Sequence, residues 1–414
     1  MLPLPTTRAE ISRSRLIGNF QYLRSLLPDI RRKRRVGKSG SNPAGTSELL
    51  AVVKANAYGS GISPCAPWLM QAGAKWLGVT SVEEGVAVRQ LCPKARILVM
   101  QGMMPGETKA LMEAHLVPTV WDIAHLEWLA GAAQQRKLAV GSVPVHLEID
   151  TGMTRQGIGL SALPAFLNAF HKLPALRLEG LYTHFASAEV LDAEQTRQQR
   201  DAFRQAVEKI FTAGFRPQWI HAGSSATILA RQFLDPVDMP YAQGSKLLLR
   251  PGIALYGYAP AFSGEDYEAA EQARARLQPV LSWKTAIAST RTVGSGTRIG
   301  YNATFTAPAN MRLALLPVGY ADGLNRKLSG SNASPGGHVL IHGIAAPIVG
   351  RISMDLTVVD ITHISKAAIG DEVVILGEQN GQRVTADDHA RWAGTIPNEI
   401  LCGIGARVPR VARS

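Results

Sequence analysis

The chain of 414 residues is too long for one ordinary domain and of a length typical of two. A hydrophobic fraction of 46% allows a large buried core, and a charged fraction of 18% argues against disorder. No apolar run reaches the roughly 18 residues of a membrane span, and the start of the chain lacks a secretory signal. Three cysteines without a C-x-x-C pair exclude a disulfide scaffold. We therefore expect a globular, cytoplasmic protein.

The net charge of +12 is concentrated in one short segment. Half of it comes from six basic residues, which are Arg31, Arg32, Lys33, Arg34, Arg35 and Lys38. The segment continues into a stretch rich in Gly, Ser, Asn and Pro, up to residue 47. No aromatic side chain lies between the charges, as a surface that stacks nucleic-acid bases would need. We expect a solvated, flexible insertion at about residues 31–47, and neither nucleic acid nor a membrane as a partner.

Between about residues 50 and 258, short apolar runs alternate with longer amphipathic segments such as EEGVAVRQL. This alternation is typical of parallel strands that are covered by helices. An early helix, predicted over residues 15–27, precedes the first strand. Eight such units fit a closed (β/α)8 TIM-type barrel better than an open sheet. The eight predicted strands are AVVKANA (51–57), WLGVTS (76–81), RILVMQ (96–101), VPTVW (117–121), VPVHLEID (143–150), RLEGLYTHF (177–185), QWIHAGSS (218–225) and LLLRPGIALYG (247–257).

The pattern changes after about residue 268, where helical periods nearly vanish. The remaining sequence consists of apolar runs broken by Gly, Asn and Pro, such as RLALLPVGY, GHVLIHG and DEVVILGE. Such runs are typical of short strands joined by turns. The sequence therefore predicts an α/β protein with an N-terminal (β/α)8 barrel over residues 1–268 and a C-terminal, predominantly β domain over residues 269–414.

Polar residues at the predicted carboxyl ends of the barrel strands are the first candidates for a site, because barrel enzymes place their active sites there. Lys54 lies in the apolar run of strand one, where burial favours the neutral amine that acts as a Schiff-base nucleophile. Pairing with a strand-end carboxylate is the alternative. Hydroxyls and glycine amides after strands seven and eight, including Ser225 and Gly252, can form a phosphate cup. Together with the phenol of Tyr58, these groups suggest pyridoxal phosphate.

Further candidates follow strands five to eight. Each of them taken alone is as well explained by a structural role, and their common position at strand ends is what favours function. The ten histidines have no metal-ligand spacing such as HExxH, so we expect no metal site. His146 and His389 are interpreted as structural. The candidates at the strand ends are Glu148, Asp150, Arg155, His184, His221, Ser224 and Arg250.

The whole chain resembles the bacterial alanine racemases, pyridoxal-phosphate enzymes with an N-terminal barrel and a C-terminal β domain. The resemblance runs from about residue 10 to residue 410. It is carried by nine blocks in the family's order, which are the lysine motif AVVKANAYGSG followed by EIDTGMTRQG, THFASAE, HAGSSA, RPGIALYG, IGYNATF, PVGYADG, VGRISMD and RVPR. It implies a head-to-tail homodimer with shared active sites, which makes D-alanine for peptidoglycan.

The resemblance also implies a role for each matching residue. Lys54 would hold the cofactor and act as one base, and Tyr301 of the partner subunit would be the other. Arg250 would face the pyridine nitrogen, supported by His221, and His184 would lie beside the ring. Cofactor phosphate would be bound by Tyr58, Ser224, Ser225, Gly252 and Ile253. Substrate would be contacted by Arg155, which also reaches the cofactor, and by Tyr320, Met354 and Asp355.

This sequence departs from the family pattern at several positions. Glu148 stands where many members carry a carbamylated lysine, and we expect it to supply the same negative charge by pairing with Arg155; the alternative is that it only fills space. Ser60 replaces a histidine, and Ser224 an asparagine. Ala406 stands where some members have a phosphate-binding tyrosine.

Three other functions remain open from the sequence. A racemase with broader amino-acid specificity would share all the motifs. Barrel-type decarboxylases that use the same cofactor favour an acidic residue at the ring nitrogen, where this chain has Arg250. A cofactor carrier without catalysis would not need a second domain bearing Tyr301. The two substrate-pocket residues Tyr320 and Met354 match the pattern for a small substrate, so alanine is favoured.

Overall fold

The computed structural model of the protein describes residues 5–28, 47–232 and 244–414. The basic insertion predicted at residues 31–47 lies almost wholly outside the described residues. The chain divides into two compact units. One consists of Leu16–Ala57 and Ile62–Gln278, and the other of the residues before Leu16 together with Tyr58–Gly61 and Pro279–Ser414.

The first unit is built on a closed barrel of eight strands, all parallel. Strand β8 pairs with both β7 and β1, which closes the barrel. The expected TIM-type barrel is thus confirmed. The strands are β1 (Glu48–Val52), β2 (Trp76–Val79), β3 (Arg96–Val99), β4 (Val117–Val120), β5 (Val143–Glu148), β6 (Leu176–Tyr182), β7 (Trp219–Gly223) and β8 (Lys246–Leu249).

The barrel strands are apolar because helices cover them on the outside while side chains fill the inside. All residues of β2, β4 and β7 are buried, and so are the last residues of the other strands. Two of the covering helices begin at a capping side chain. Ser81 accepts a hydrogen bond from the Glu84 amide, and Asp122 accepts one from the Ala124 amide. In the described part of this unit, the right-handed α-helices that come after β1 are Ile62–Gln71, Val82–Leu91, Thr108–Glu113, Ile123–Gln135, Leu163–His171, Glu194–Thr212, Ser225–Leu229 and Glu268–Arg274.

The second unit is predominantly β, as expected, and contains three sheets. The largest has seven strands: Arg8–Ser12, Leu281–Ala286, His338–Ile341, Ile344–Pro347, Glu372–Gln379, Gln382–Val384 and Arg410–Arg413. The second sheet has three, Ser289–Val293, Met311–Leu316 and Thr357–Asp360, and the third is the pair Arg298–Ile299 and Phe305–Thr306. Helices Ala386–Ala393 and Pro397–Cys402 complete the unit.

The structure differs from the sequence interpretation at the borders of elements. Strand Arg8–Ser12, expected within the barrel domain, pairs with Leu281–Ala286 and Arg410–Arg413 in the second unit. The division between units falls at Gln278, ten residues after the expected border at residue 268, because helix Glu268–Arg274 stays with the barrel. The first helix runs over Arg13–Ser25, two residues earlier than predicted. Within the described residues, no helix is long and apolar enough to cross a membrane.

Candidate active site

Lys54 follows β1 and opens a left-handed turn. Residues 55–58 all have φ between 51° and 56°, a conformation that costs an L-residue roughly 1–2 kcal/mol. Glu84 fixes this turn, since one carboxylate oxygen accepts the Ala55 amide at 2.8 Å and the other accepts the Thr80 amide at 2.8 Å. The half-buried Lys54 is therefore held on a strained turn at the carboxyl end of a barrel strand, where strain is typical of functional sites.

Arg250 follows β8 and is a buried cation with only 6% of its surface exposed. Its Nη1 donates to His221 Nδ1 at 2.8 Å, and its Nη2 donates to the Thr183 carbonyl at 2.8 Å. The guanidinium lies 4.7 Å from the centre of the Tyr182 ring. Burial lowers the pKa of Arg250, but a guanidinium stays protonated in proteins. Among the described residues no carboxylate forms an ion pair with it.

Two histidines beside Arg250 are held in the neutral form. Burial, followed by the charges of Arg250, Arg155 and Lys54, lowers the pKa of His184 to about 3. Burial, followed by the charge of Arg250, holds the pKa of His221 well below its usual value. Arg250 Nη2 also lies 3.4 Å from His184 Nδ1, so Arg250 contacts both histidines, and Lys54 follows β1 at the same carboxyl end of the barrel strands.

Ser225 builds a cup between the ends of β7 and β8. Its hydroxyl accepts the amides of Gly252 at 3.0 Å and Ala254 at 3.2 Å. Ser224 precedes it at the cap of helix Ser225–Leu229, and Ile253 begins a short 3-10 helix, Ile253–Tyr256, where the sequence predicted strand. Gly223 at the end of β7 leaves no room for a side chain, since a Cβ there would lie 2.3 Å from Leu249 Cδ2.

The expected direct pair between Glu148 and Arg155 is corrected by the structure. Glu148 is buried at the end of β5 and accepts a hydrogen bond from the Gln156 amide, which also donates to the Met100 carbonyl at 2.9 Å. Among the described residues no ion pair joins Glu148 to Arg155, which is exposed. Burial raises the pKa of Glu148, so its ionised form is disfavoured. The side chain of the adjacent residue, Gln156, was overlooked in the sequence.

Tyr301 lies in the second unit on a tight turn and is 65% exposed. Three residues around it have positive φ: Gly300 at 75°, Asn302 at 59° and Ala303 at 48°. The turn lies between the short strands Arg298–Ile299 and Phe305–Thr306, which pair with each other. In the same unit, the phenol of Tyr58 is buried, and burial raises its pKa.

The other predicted substrate residues lie on two loops that are joined by hydrogen bonds. The Tyr320 amide donates to the Ser353 carbonyl at 3.1 Å, and a Cβ on Gly319 would lie 2.3 Å from the Met354 carbonyl oxygen. Arg407 links the loops, with Nη1 at 2.8 Å from Asp355 and Nε at 3.3 Å from Asp322. Tyr320, Met354 and Asp355 are all exposed.

Comparison with known proteins agrees with this geometry. The family model for the alanine racemase N-terminal domain matches residues 29–260, and the model for the alanine racemase C-terminal domain matches residues 280–412. The chain belongs to the alanine racemase family. Among curated relatives, the alanine racemase of Geobacter sulfurreducens is 38% identical over 367 residues, which are 88% of this chain and 90% of that protein.

Solved structures of alanine racemases also match. The enzyme from Streptomyces coelicolor has a TM-score of 0.82 and 33% identity, with 98% of both chains covered. The alanine racemase from Bartonella henselae with covalently bound pyridoxal phosphate has a TM-score of 0.77 and 25% identity, and covers 99% of this chain and 100% of its own. The barrel and the β domain thus correspond to the two domains of the alanine racemase family.

Sequence reasoning missed several residues that organise the candidate site in this alanine racemase family member. Glu84 had a signal, because Ser81-x-x-Glu84 before an apolar helix is a capping pattern. Gln156 and Arg407 had none, since their partners depend on loops. His146, interpreted as structural, hydrogen-bonds His221 at 3.0 Å between ring nitrogens. Within the described chain, no cluster of metal-ligating side chains was found.

The buried histidines predict a loss of stability in mild acid. Burial lowers the pKa of His184 to about 3 and of His389 to about 4, and it lowers the pKa of His146 and His221. Below the unfolded value of 6.5, the unfolded chain binds protons that the folded chain does not. The free energy of unfolding should therefore fall as pH falls from about 6.5 to about 4.5. Urea unfolding across this range measures it. His389→Gln should reduce the slope, and an unchanged slope contradicts the assignment of His389.

Proposed function

We propose that the protein is a pyridoxal-phosphate-dependent racemase that interconverts L-alanine and D-alanine. The observation that carries the proposal is the buried Arg250, held by His221 at the strand ends that also bear Lys54, in a chain of the alanine racemase family. Its product would serve peptidoglycan synthesis in the cytoplasm, a location that the odd set of three cysteines favours.

The donor set at the strand ends fits pyridoxal phosphate. Arg250 is a permanent donor, so it can hydrogen-bond an unprotonated ring nitrogen but cannot readily transfer its proton. The Ser225 hydroxyl lies 3.0 Å from the amide nitrogen of Gly252 and 3.2 Å from that of Ala254, so these polar groups are clustered as a phosphate cup requires. His184 is buried and neutral, which suits contact with an aromatic ring. The bound cofactor would supply the electron sink that weakens the bond between Cα and its hydrogen.

Lys54 and Tyr301 are the two bases in this proposal. Racemisation removes the Cα proton from one face and returns a proton to the other, so it needs one base on each side. Lys54 would serve the face from which D-alanine loses its proton, and Tyr301 of the partner subunit would serve L-alanine. Exposure of Tyr301 within its own chain supports this assignment, because a phenol that enters a neighbour's site must project from the surface.

The proposal includes a homodimer whose second unit completes the partner's pocket. Tyr320, Met354 and Asp355 are exposed on loops that Arg407 links. Neighbouring exposed side chains as large as Tyr320 and Met354 are typical of a surface that another protein surface covers. Arg155 would contact the substrate carboxylate without a direct bond to Glu148, since Gln156 donates the hydrogen bond that Glu148 accepts.

The activity is tested by incubating the purified protein and pyridoxal phosphate with each L-amino acid. Chiral chromatography should detect D-alanine, and little or no D-isomer from larger amino acids. Conversion of several larger amino acids at comparable rates would instead favour the racemase with broad specificity. Carbon dioxide and an amine as products would indicate a decarboxylase.

Ser225→Ala should weaken cofactor binding. The substitution removes the acceptor that orients the amides of Gly252 and Ala254 and one donor of the phosphate cup. Loss of one or two hydrogen bonds to a charged group lowers affinity by about tenfold to a hundredfold. Titration of the cofactor-free protein measures this dissociation constant. Ser245→Ala is the control. Ser245 lies directly before β8, at the opposite end of that strand from the cup, and its buried hydroxyl donates to the Pro217 carbonyl. Equal affinity in the wild-type protein and Ser225→Ala contradicts the cup.

A further inference from the structure

A row of buried polar side chains crosses the barrel interior from Arg250 to Glu179, and we name these residues, with His221 and His146 between them, the barrel relay. Arg250 Nη1 lies 2.8 Å from His221 Nδ1, and His221 Nε2 lies 3.0 Å from His146 Nδ1. His146 Nε2 lies 3.7 Å from Glu179 Oε2. The four residues have exposures of 6%, 0%, 0% and 2%, so solvent does not reach the relay.

With Arg250 protonated at one end of the barrel relay and Glu179 ionised at the other, one arrangement of protons matches a donor with an acceptor along the whole row. A guanidinium only donates, so His221 Nδ1 must accept from Arg250 and carry no proton. The proton of neutral His221 is then on Nε2, which donates to His146 Nδ1. His146 must therefore carry its own proton on Nε2, and this N–H points toward Glu179. All donors in the relay are directed away from Arg250 and toward the carboxylate.

Two features of β6 place the carboxylate at the end of the relay. The pairing of β5 with β6 shifts between Val145 and His146, which are opposite Leu178 and Gly180, so Glu179 is the extra residue of a β-bulge. Bulges redirect a side chain that would otherwise point to the other face. Gly180 leaves space for the imidazole, because a Cβ there would lie 2.5 Å from the ring of His146.

Neighbouring polar and charged groups keep Glu179 ionised. Burial opposes ionisation, but His146, Arg96 and Arg177 together lower the pKa of Glu179 to about 2. Arg177 Nη1 lies 2.9 Å from one carboxylate oxygen, and Arg96 donates to the other. His146 Nε2 has no hydrogen-bond partner among the described residues, so the carboxylate is the negative group that stabilises its N–H. Trp76 and Tyr182 lie against the two imidazoles at 5.4 and 4.6 Å between ring centres.

We propose that Glu179 is a positioning residue that sets the tautomers of His146 and His221 and thereby the orientation of Arg250. Without the carboxylate, the opposite tautomers are no longer disfavoured, and His221 Nδ1–H would face the N–H of Arg250. Two donors repel each other, so the guanidinium would lose its fixed direction. The consequence for catalysis rests on the proposed role of Arg250, whereas the tautomers do not.

The tautomers are measured by long-range nitrogen–proton NMR of protein labelled only in histidine, with and without pyridoxal phosphate. Signals are assigned by comparison with His146→Asn and His221→Asn. In the wild-type chain, both imidazoles should be protonated at Nε2 and unprotonated at Nδ1. Glu179→Gln should shift a measurable fraction of both rings to the Nδ1–H form. Glu179→Asp, which retains the charge, should keep the wild-type pattern.

Arg177→Gln is the matched control, because it removes an ion pair of Glu179 and leaves the carboxylate in place. It should not change the tautomers. In the enzyme loaded with pyridoxal phosphate, Glu179→Gln should lower kcat by about tenfold, because the charge-assisted hydrogen bond from Arg250 to His221 is weakened or lost. The KM for alanine should change little.

A proton on Nδ1 of either ring in the wild-type chain overturns the proposal, and this outcome does not depend on whether Glu179→Gln folds. Unchanged tautomers in Glu179→Gln, or an equal effect of Arg177→Gln, also overturn it. If the wild-type protein neither binds pyridoxal phosphate nor racemises alanine, the proposed function fails, while the NMR result still decides the tautomers.

Discussion

Lys54→Ala should abolish racemisation, with a loss of activity of about three orders of magnitude or more. In the proposed mechanism the amine holds the cofactor covalently and also exchanges the Cα proton on one face. His184 and His221 should not take over, because burial lowers their pKa and makes them poor proton acceptors. The absorbance band of the lysine-bound cofactor should disappear as well.

Lys246→Ala provides a matched control for this loss. Lys246 begins β8 at the amino end of the barrel, and its ammonium lies 5.6 Å from the centre of the Trp219 ring. The substitution tests whether removal of a lysine from a barrel strand harms the enzyme in general, and it should leave both activity and absorbance unchanged. Full activity of Lys54→Ala together with a retained absorbance band contradicts the assigned role.

The barrel was predictable from sequence because its strands are short apolar runs with regular spacing. The ends of the strands were harder to predict, since LLLRPGIALYG is apolar apart from Arg250, yet β8 ends at Leu249 and a 3-10 helix begins at Ile253. Apolar character alone does not distinguish a buried strand from a buried turn. Strand Arg8–Ser12 could not be assigned either, because its partners are about 270 and 400 residues away in sequence.

Predictions for the candidate site divide in the same way: positions at strand ends followed from the sequence, whereas contacts between side chains did not. Lys54, His184, His221 and Arg250 were candidates because each is a polar residue within or at the end of a predicted barrel strand, and a barrel brings strand ends together. The expected pair of Glu148 with Arg155 failed since hydrogen bonds depend on rotamers and loops. Gln156, only one residue after Arg155, takes the bond instead. Glu179 lies within a strand, and only the bulge explains why it points to His146.

Tyr301→Phe should suppress proton exchange from L-alanine far more than from D-alanine. The two enantiomers have equal free energy, so kcat/KM for racemisation must fall equally in both directions. The asymmetry is visible in deuterated water, where Lys54 still exchanges the Cα proton of D-alanine while that of L-alanine is retained. Mass spectrometry of each recovered enantiomer measures it. Tyr267→Phe is the control, since it also removes an exposed phenol, at a position to which the proposal gives no role in the site. Equal suppression for both enantiomers contradicts the role of Tyr301.

Mixed dimers decide whether each site uses residues of two chains. Neither Lys54→Ala nor Tyr301→Phe should racemise alanine alone, but a hybrid of the two has one site with an intact lysine and an intact tyrosine. Random mixing makes half of the dimers hybrid, so about a quarter of the wild-type activity should return. Mixing either variant with the double variant should restore nothing, because no site then holds both groups. If hybrids form and activity does not return, Lys54 and Tyr301 serve within one chain and the shared site is wrong.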